Sequence, residues 1–86
     1  MRLKNEARLR AVLLKKHELC DGYDNIVFWG DGSWEIIDPD TPAPKPYAFK
    51  VNMMDLLDRL NTYRATQWVS IDQAVLLVLR DIEEAL

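Results

Sequence analysis

The most reactive side chains of this sequence lie close together, because the only histidine, His17, precedes the only cysteine, Cys20, by three positions. On a helix this spacing places an imidazole and a thiol on the same side. A zinc site needs four ligands, and the chain has no second His or Cys to complete one. Nothing in the sequence orients a Cys-His nucleophile pair either. We therefore expect no metal and no catalytic residue here, although a site shared between two chains stays open.

Carboxylates are the other candidates for catalysis or metal binding. Asp38 and Asp40 flank a proline and are interpreted as turn residues. Asp31 begins a pattern similar to a calcium loop, but Ile36 stands at the sixth position, where glycine is required. Two further pairs have the i,i+3 spacing typical of solvated helix faces, Asp55 with Asp58 and Asp81 with Glu84. The three glycines form no phosphate-binding loop. We expect no cofactor and no enzymatic activity.

Charge is unevenly distributed along the chain. Residues 1–20 hold six basic and two acidic side chains, whereas residues 21–86 hold five basic and twelve acidic ones. The net charge of −3 is opposite in sign to that of a general nucleic-acid binder, whose affinity comes mainly from phosphate neutralisation. A basic face on the first helix nevertheless keeps nucleic-acid binding as an alternative function. Its candidate phosphate contacts are Lys4, Arg8, Lys15 and Lys16.

Length and composition predict a single domain over residues 1–86. Hydrophobic residues make up 49% of the chain and charged residues 29%, which is the balance of a globular protein. A lone cysteine excludes an intrachain disulfide, on which small secreted domains usually depend. The first residues alternate in charge and do not resemble a signal peptide, and the longest apolar run, Ala74 to Leu79, is too short to span a bilayer. We expect a cytoplasmic protein without membrane contact.

A β-hairpin is predicted around Asp31-Gly32, because this dipeptide separates two runs of β-branched and aromatic residues. A two-residue turn and a four-residue loop both place Trp29 opposite Trp34. Since side chains alternate along a strand, this register makes both faces of the hairpin largely apolar. One face would carry Val27, Trp29, Trp34 and Ile36, and the other Ile26, Phe28, Glu35 and Ile37. One of these faces then needs a second layer, a partner chain or a ligand.

The whole pattern predicts an α+β fold. Its elements are an N-terminal helix over 2–19, a three-stranded antiparallel β-meander with strands near 26–29, 34–37 and 47–51, and two C-terminal helices near 53–64 and 70–85. Gly22 is expected to end the first helix, and Asn52 to cap the second. Ser70 and Gln73 match a capping box for the last helix. That helix is apolar nearly all round, which indicates a central position or an interface. A proline-rich segment over 38–46 joins the second and third strands.

These features favour a non-enzymatic protein-binding module of the inhibitor, adaptor or regulator type, a class that includes small phage and mobile-element proteins. The expected contact surface is the acidic, aromatic hairpin with the proline-rich segment after it. The expected partner is another protein with a basic surface. A homodimer, closed by the last helix or by an uncovered sheet face, is a further alternative. The residues predicted to contact a partner are Trp29, Asp31, Trp34, Glu35, Asp38 and Asp40.

Overall fold

The computed structural model describes residues 2–86 and has the predicted order of elements. These are α1 (Glu6–Leu19), β1 (Asn25–Phe28), β2 (Trp34–Ile37), β3 (Phe49–Asn52), α2 (Met53–Gln67) and α3 (Ile71–Ala85). The predicted α+β fold, with one N-terminal helix, a three-stranded antiparallel sheet and two C-terminal helices, is confirmed. Within the described residues, no helix combines the length and the apolar character needed to cross a membrane.

The first helix is shorter than predicted, because residues 2–5 form an irregular N-terminal strap ahead of it. Leu3 of this strap is buried in the core, and its N–H donates to a carboxylate oxygen of Glu83 over 2.7 Å. The Lys4 N–H donates to the Gly32 carbonyl over 2.8 Å. The strap therefore links the hairpin loop to the last turns of α3.

The end of α1 also differs from the prediction. Cys20, and not Gly22, takes the left-handed conformation that closes the helix. Gly22 is needed for a different reason, because a Cβ at this position would lie 2.7 Å from the Met54 side chain and 2.8 Å from its Cα. The missing side chain allows the chain to pass close to the first turn of α2.

The two C-terminal helices begin as predicted. The Asn52 side chain accepts a hydrogen bond from the Met54 N–H over 2.8 Å, and Ser70 and Gln73 form a reciprocal capping box. α3 packs against both α1 and α2, which confirms its central position. Its buried stripe consists of Ala74, Val75, Val78, Leu79 and Ile82.

The register of the hairpin differs from the prediction by one residue. The loop has three residues, 30–32, and the Gly32 N–H donates to the Trp29 carbonyl. Gly32 has a φ of 92°, which forms the glycine bulge that is typical of three-residue hairpin loops. Trp34 therefore pairs with Phe28, and the predicted pair of Trp29 and Trp34 is wrong.

This register gathers most of the large apolar side chains of the sheet on one face, the inner face, against the helices. The inner-face residues are Ile26, Phe28, Trp34, Ile36, Phe49 and Val51. The Phe28 and Phe49 rings stack with centroids 4.9 Å apart. The opposite, outer face keeps Val27 and Ile37 among polar neighbours. The expectation that both faces are largely apolar is therefore not met.

The third strand lies beside β1, so the strand order is β2-β1-β3 and not that of a simple meander. Both outer strands are antiparallel to β1 and therefore run parallel to each other. Parallel strands cannot be joined by a tight turn, because the chain must return to the starting end of the sheet. The proline-rich segment makes this crossover, and it includes a turn closed by the Thr41 N–H, which donates to the Asp38 carbonyl over 3.0 Å.

The crossover explains how the outer face is covered. The helices pack on the inner face, which leaves the segment between β2 and β3 to lie over the outer one. Val27, in the middle of that face, is completely buried. Three crossover residues, Pro39, Ala43 and Tyr47, are half-buried, which is consistent with their lying over the sheet. The crossover segment of the same chain therefore accounts for the burial of the outer face of the hairpin.

Candidate protein-interaction surfaces

Trp34, a predicted partner contact, belongs to the core. It is only 7% exposed, and its Nε1–H donates to the Lys4 carbonyl over 2.8 Å. The Arg8 guanidinium lies 5.2 Å from the ring centroid, within the range of a cation–π contact. The indole is enclosed by the N-terminal strap and α1, so its predicted contact with a partner is wrong.

Asp31 stays at the surface, but its carboxylate serves the hairpin loop. Oδ1 accepts from the Ser33 hydroxyl over 2.6 Å and from the Ser33 N–H over 2.9 Å. Oδ2 lies 3.4 Å from the Lys4 ammonium. The two bonds from Ser33, with a smaller contribution from Lys4, lower the pKa of the Asp31 carboxyl to about 2. Its main structural role is to hold the turn.

The other predicted contact residues remain accessible at least in part. Trp29 is half-buried, whereas Glu35, Asp38 and Asp40 are exposed. Across residues 2–86 none of these three carboxylates has an ion-pair partner. Glu35 lies on the edge strand β2, and Asp38 and Asp40 lie at the start of the crossover. We call these three residues the acidic margin. Contact between this margin and a partner stays a prediction.

The basic residues considered as phosphate contacts are largely engaged within the protein. Lys4 and Arg8 contact the hairpin as described above. The Lys16 ammonium lies 2.8 Å from the Asp21 carboxylate, and this hydrogen bond is the main cause of a raised Lys16 pKa. Lys15 lies 3.9 Å from an exposed glutamate on the same helix. These contacts weaken the support for the nucleic-acid alternative.

His17 and Cys20 both line an open cavity between the end of α1 and α2, where His17 has a different hydrogen-bond partner. The His17 Nε2 lies 2.9 Å from the Asn61 Oδ1, so its ring is held against α2. Cys20 is exposed at the end of α1. In the described part of the chain, no group of three or more His, Cys, Asp or Glu side chains is placed to hold a metal ion.

A cavity of about 140 Å³ opens between β3, α2 and α3. At its rim Asp81 accepts hydrogen bonds from the Tyr63 hydroxyl and from Arg59. The bond to Asp81 is the main cause of a raised Tyr63 pKa, because it holds the phenolic proton. The Asp81 carboxylate on α3 thus accepts from two donors on α2 and holds the two helices together.

Trp68 is the most exposed large apolar side chain among residues 2–86, with 91% of its surface accessible. It ends α2 in the left-handed conformation, with φ 56° and ψ 38°. This position favours Gly or Asn, and a bulky residue there is destabilising by about 1 kcal/mol. The indole therefore lies in solvent and does not fill the corner between α2 and α3.

An uncharged groove of about 290 Å³ lies beside Trp68, where α2 meets α3. Its lining residues are Gln67, Val69, Gln73, Leu76 and Leu77. Leu76 is 46% exposed, since it lies off the buried stripe of α3. We call Trp68 and the groove residues the helix-corner surface. Two sequence signals pointed to it: α2 ends without a glycine, and α3 carries more leucines than one stripe can bury.

The helix-corner surface has to be interpreted from its own chemistry. No protein-family model, curated protein or solved structure matches this chain. A second and more dispersed group of exposed apolar residues, Leu19, Tyr23 and Met54, lies at the other end of α2. It lacks a tryptophan. Tyr23 from this group serves below as the matched control.

Proposed function

We propose that this protein is a non-enzymatic protein-binding module of the inhibitor, adaptor or regulator type, which contacts another protein chain through the helix-corner surface. The observation that carries the proposal is the 91% exposure of Trp68. Tryptophan is enriched among the residues that dominate binding energies, because it buries a large ring with few rotatable bonds. A partner that covers the ring would offset the cost of placing a bulky residue in the left-handed conformation.

The size of the ring makes the contact energetically significant. An aromatic side chain of this kind buries about 150 to 250 Å². At about 25 cal/mol per Å², its removal from water is worth roughly 4 to 6 kcal/mol before the cost of association is subtracted. Leu76 and the groove beside the ring extend the apolar area.

The ionisable groups support the non-enzymatic part of the proposal. Those with shifted pKa values all make contacts that hold the fold together: Lys16, Asp21, Asp31, Tyr63 and Glu83. The one shift at a cavity rim, that of Tyr63, arises from its hydrogen bond to Asp81, which links α2 to α3.

Two finer expectations accompany the proposal. A basic partner surface is supported by the acidic margin, whose charge would speed the encounter. A cytoplasmic location is supported by the single exposed thiol of Cys20, which stays reduced in that compartment.

Photo-crosslinking tests the proposed surface directly. Benzoylphenylalanine is placed at Leu76 in one variant and at Tyr23 in a control, both of which are exposed apolar positions. Each variant is expressed in the native cells, irradiated, and its adducts are weighed by mass spectrometry. We expect discrete protein adducts from position 76 that disappear when Trp68→Ala is added.

Two results would contradict the proposal. The first is an absence of adducts from position 76, and the second is the same set of adducts from positions 76 and 23. Circular dichroism of each purified variant serves as the folding control.

A further inference from the structure

We infer that the chain that covers the helix-corner surface is a second copy of this protein, an inference that rests on the proposed function. The surface holds both halves of a reciprocal contact, because the exposed Trp68 ring stands beside a groove that its neighbours Gln67 and Val69 help to line. A two-fold dimer needs a patch that is complementary to itself. With the two-fold axis between ring and groove, each Trp68 enters the groove of the other copy.

The groove is large enough for this exchange. Its volume is about 290 Å³, and its walls are formed by leucine, valine and glutamine side chains. The groove is open to solvent along one side, so a ring from another chain can enter it, and the Gln67 and Gln73 side chains offer acceptors for an indole N–H.

Charge favours a second copy over a basic protein at this surface. None of the groove residues is ionisable, and the chain is uncharged from Ala65 to Ile71. Two copies, each with a net charge of −3, can therefore meet at the groove itself without placing like charges there, and one acid and one base, Asp72 and Arg80, lie one helical turn on either side of Leu76. A basic partner would gain no electrostatic attraction from this uncharged surface. The acidic margin remains accessible to such a partner.

The area is that of a weak but specific dimer. Two exchanged indoles contribute roughly 300 to 500 Å² of the approximately 1,200 Å² that a stable interface buries. Leu76, Leu77 and the groove walls supply a further share. We expect a dissociation constant of about 1 μM or weaker, since interfaces below the standard size are typical of weak, transient contacts.

Sedimentation equilibrium of the purified full chain tests the inference. The wild type should dimerise with the expected affinity, and Trp68→Ala should raise the dissociation constant at least about thirtyfold. Leu76→Glu should have a similar effect, because it introduces a charge into the neutral groove. Tyr23→Ala, the matched control, removes an exposed aromatic ring elsewhere and should leave the dissociation constant unchanged.

Mixing the two defective variants distinguishes a reciprocal contact from any other dimer. Trp68→Ala keeps an intact groove but has no ring, whereas Leu76→Glu keeps the ring but has a charged groove. Their mixture restores one of the two ring-in-groove contacts, so heterodimers should outnumber either homodimer.

Every outcome decides the inference. A strictly monomeric wild type overturns it, and so does a dimer that neither variant weakens. A mixture without preferential heterodimers overturns the reciprocal geometry. The crosslinks from position 76 separate this failure from failure of the proposed function, because adducts of twice the chain mass indicate a second copy and adducts of other masses a different protein.

Discussion

Replacing Gly32 with alanine tests whether the N-terminal strap is locked onto the hairpin loop. Gly32 has a φ of 92°, and an added Cβ would lie 1.6 Å from the Arg2 carbonyl oxygen and 2.6 Å from its carbonyl carbon. Both are backbone atoms, so no side-chain rotation relieves the clash. The strap has to move away from the loop.

The expected loss of stability follows from what the strap contributes. Alanine in the left-handed region costs about 1 kcal/mol. Displacing the strap exposes Leu3, which is 5% exposed in the fold, at a cost of about 2 kcal/mol. The lost hydrogen bond from the Lys4 N–H to the Gly32 carbonyl adds about 1 kcal/mol. The total of about 4 kcal/mol corresponds to a fall in Tm of roughly 15 to 30 °C for a domain of this size.

Urea unfolding, followed by circular dichroism, measures the loss, and Gly30→Ala provides a control within the same loop. A Cβ at Gly30 would meet no atom within 4 Å, so this variant should change the free energy of unfolding by about 0.5 kcal/mol or less. If the two variants differed by less than about 1 kcal/mol, the contact between strap and loop would be refuted.

Four further variants test the assignments of individual side chains. Trp34→Ala should lower the free energy of unfolding by about 3 to 5 kcal/mol and Trp29→Ala by clearly less, because only Trp34 is buried. Urea unfolding measures both losses, and equal losses would contradict the assignment. Asp31→Asn should flatten the acid limb of the stability profile. The folded pKa of about 2 lies below the ordinary 3.8, so the carboxylate stabilises the fold above pH 3.8 and this contribution disappears as the pH falls towards 2; an unchanged limb in that interval would argue against the assignment. Trp68→Gly should raise the free energy of unfolding by about 1 kcal/mol, since glycine adopts the left-handed conformation without strain, and a lower thermal midpoint in dilute solution would show that the indole supports the fold.

Local sequence signals were sufficient to predict which segments form helices and which form strands. The caps at Asn52 and Ser70 act within one helical turn, so their hydrogen bonds depend on residues that are adjacent in the chain. The buried stripe of α3 repeats with the helical period, and any cover on one side selects the same residues. These features could be predicted because they depend on neighbouring residues and little on contacts with distant parts of the chain.

Local sequence signals were not sufficient to predict the register of the hairpin. Asp31-Gly32 is compatible with loops of two, three or four residues, and a change of one residue moves every strand side chain to the opposite face. The observed three-residue loop buries Trp34 under α1 and the N-terminal strap, and the loop itself is held by the strap at Gly32. The register thus depends on residues about thirty positions away.

By itself, the sequence determined the order of the elements, the N-caps of α2 and α3 and the buried stripe of the last helix, because each follows from neighbouring residues. Only the tertiary structure decided the rest: the pairing of β3 with β1, the crossover over Val27, the burial of Trp34 and the exposure of Trp68. Burial depends on which elements meet in space, and a tryptophan has the same local preferences whether it faces the core or solvent. The candidate contact surface therefore lies at the corner between α2 and α3, away from the hairpin to which the sequence had drawn attention.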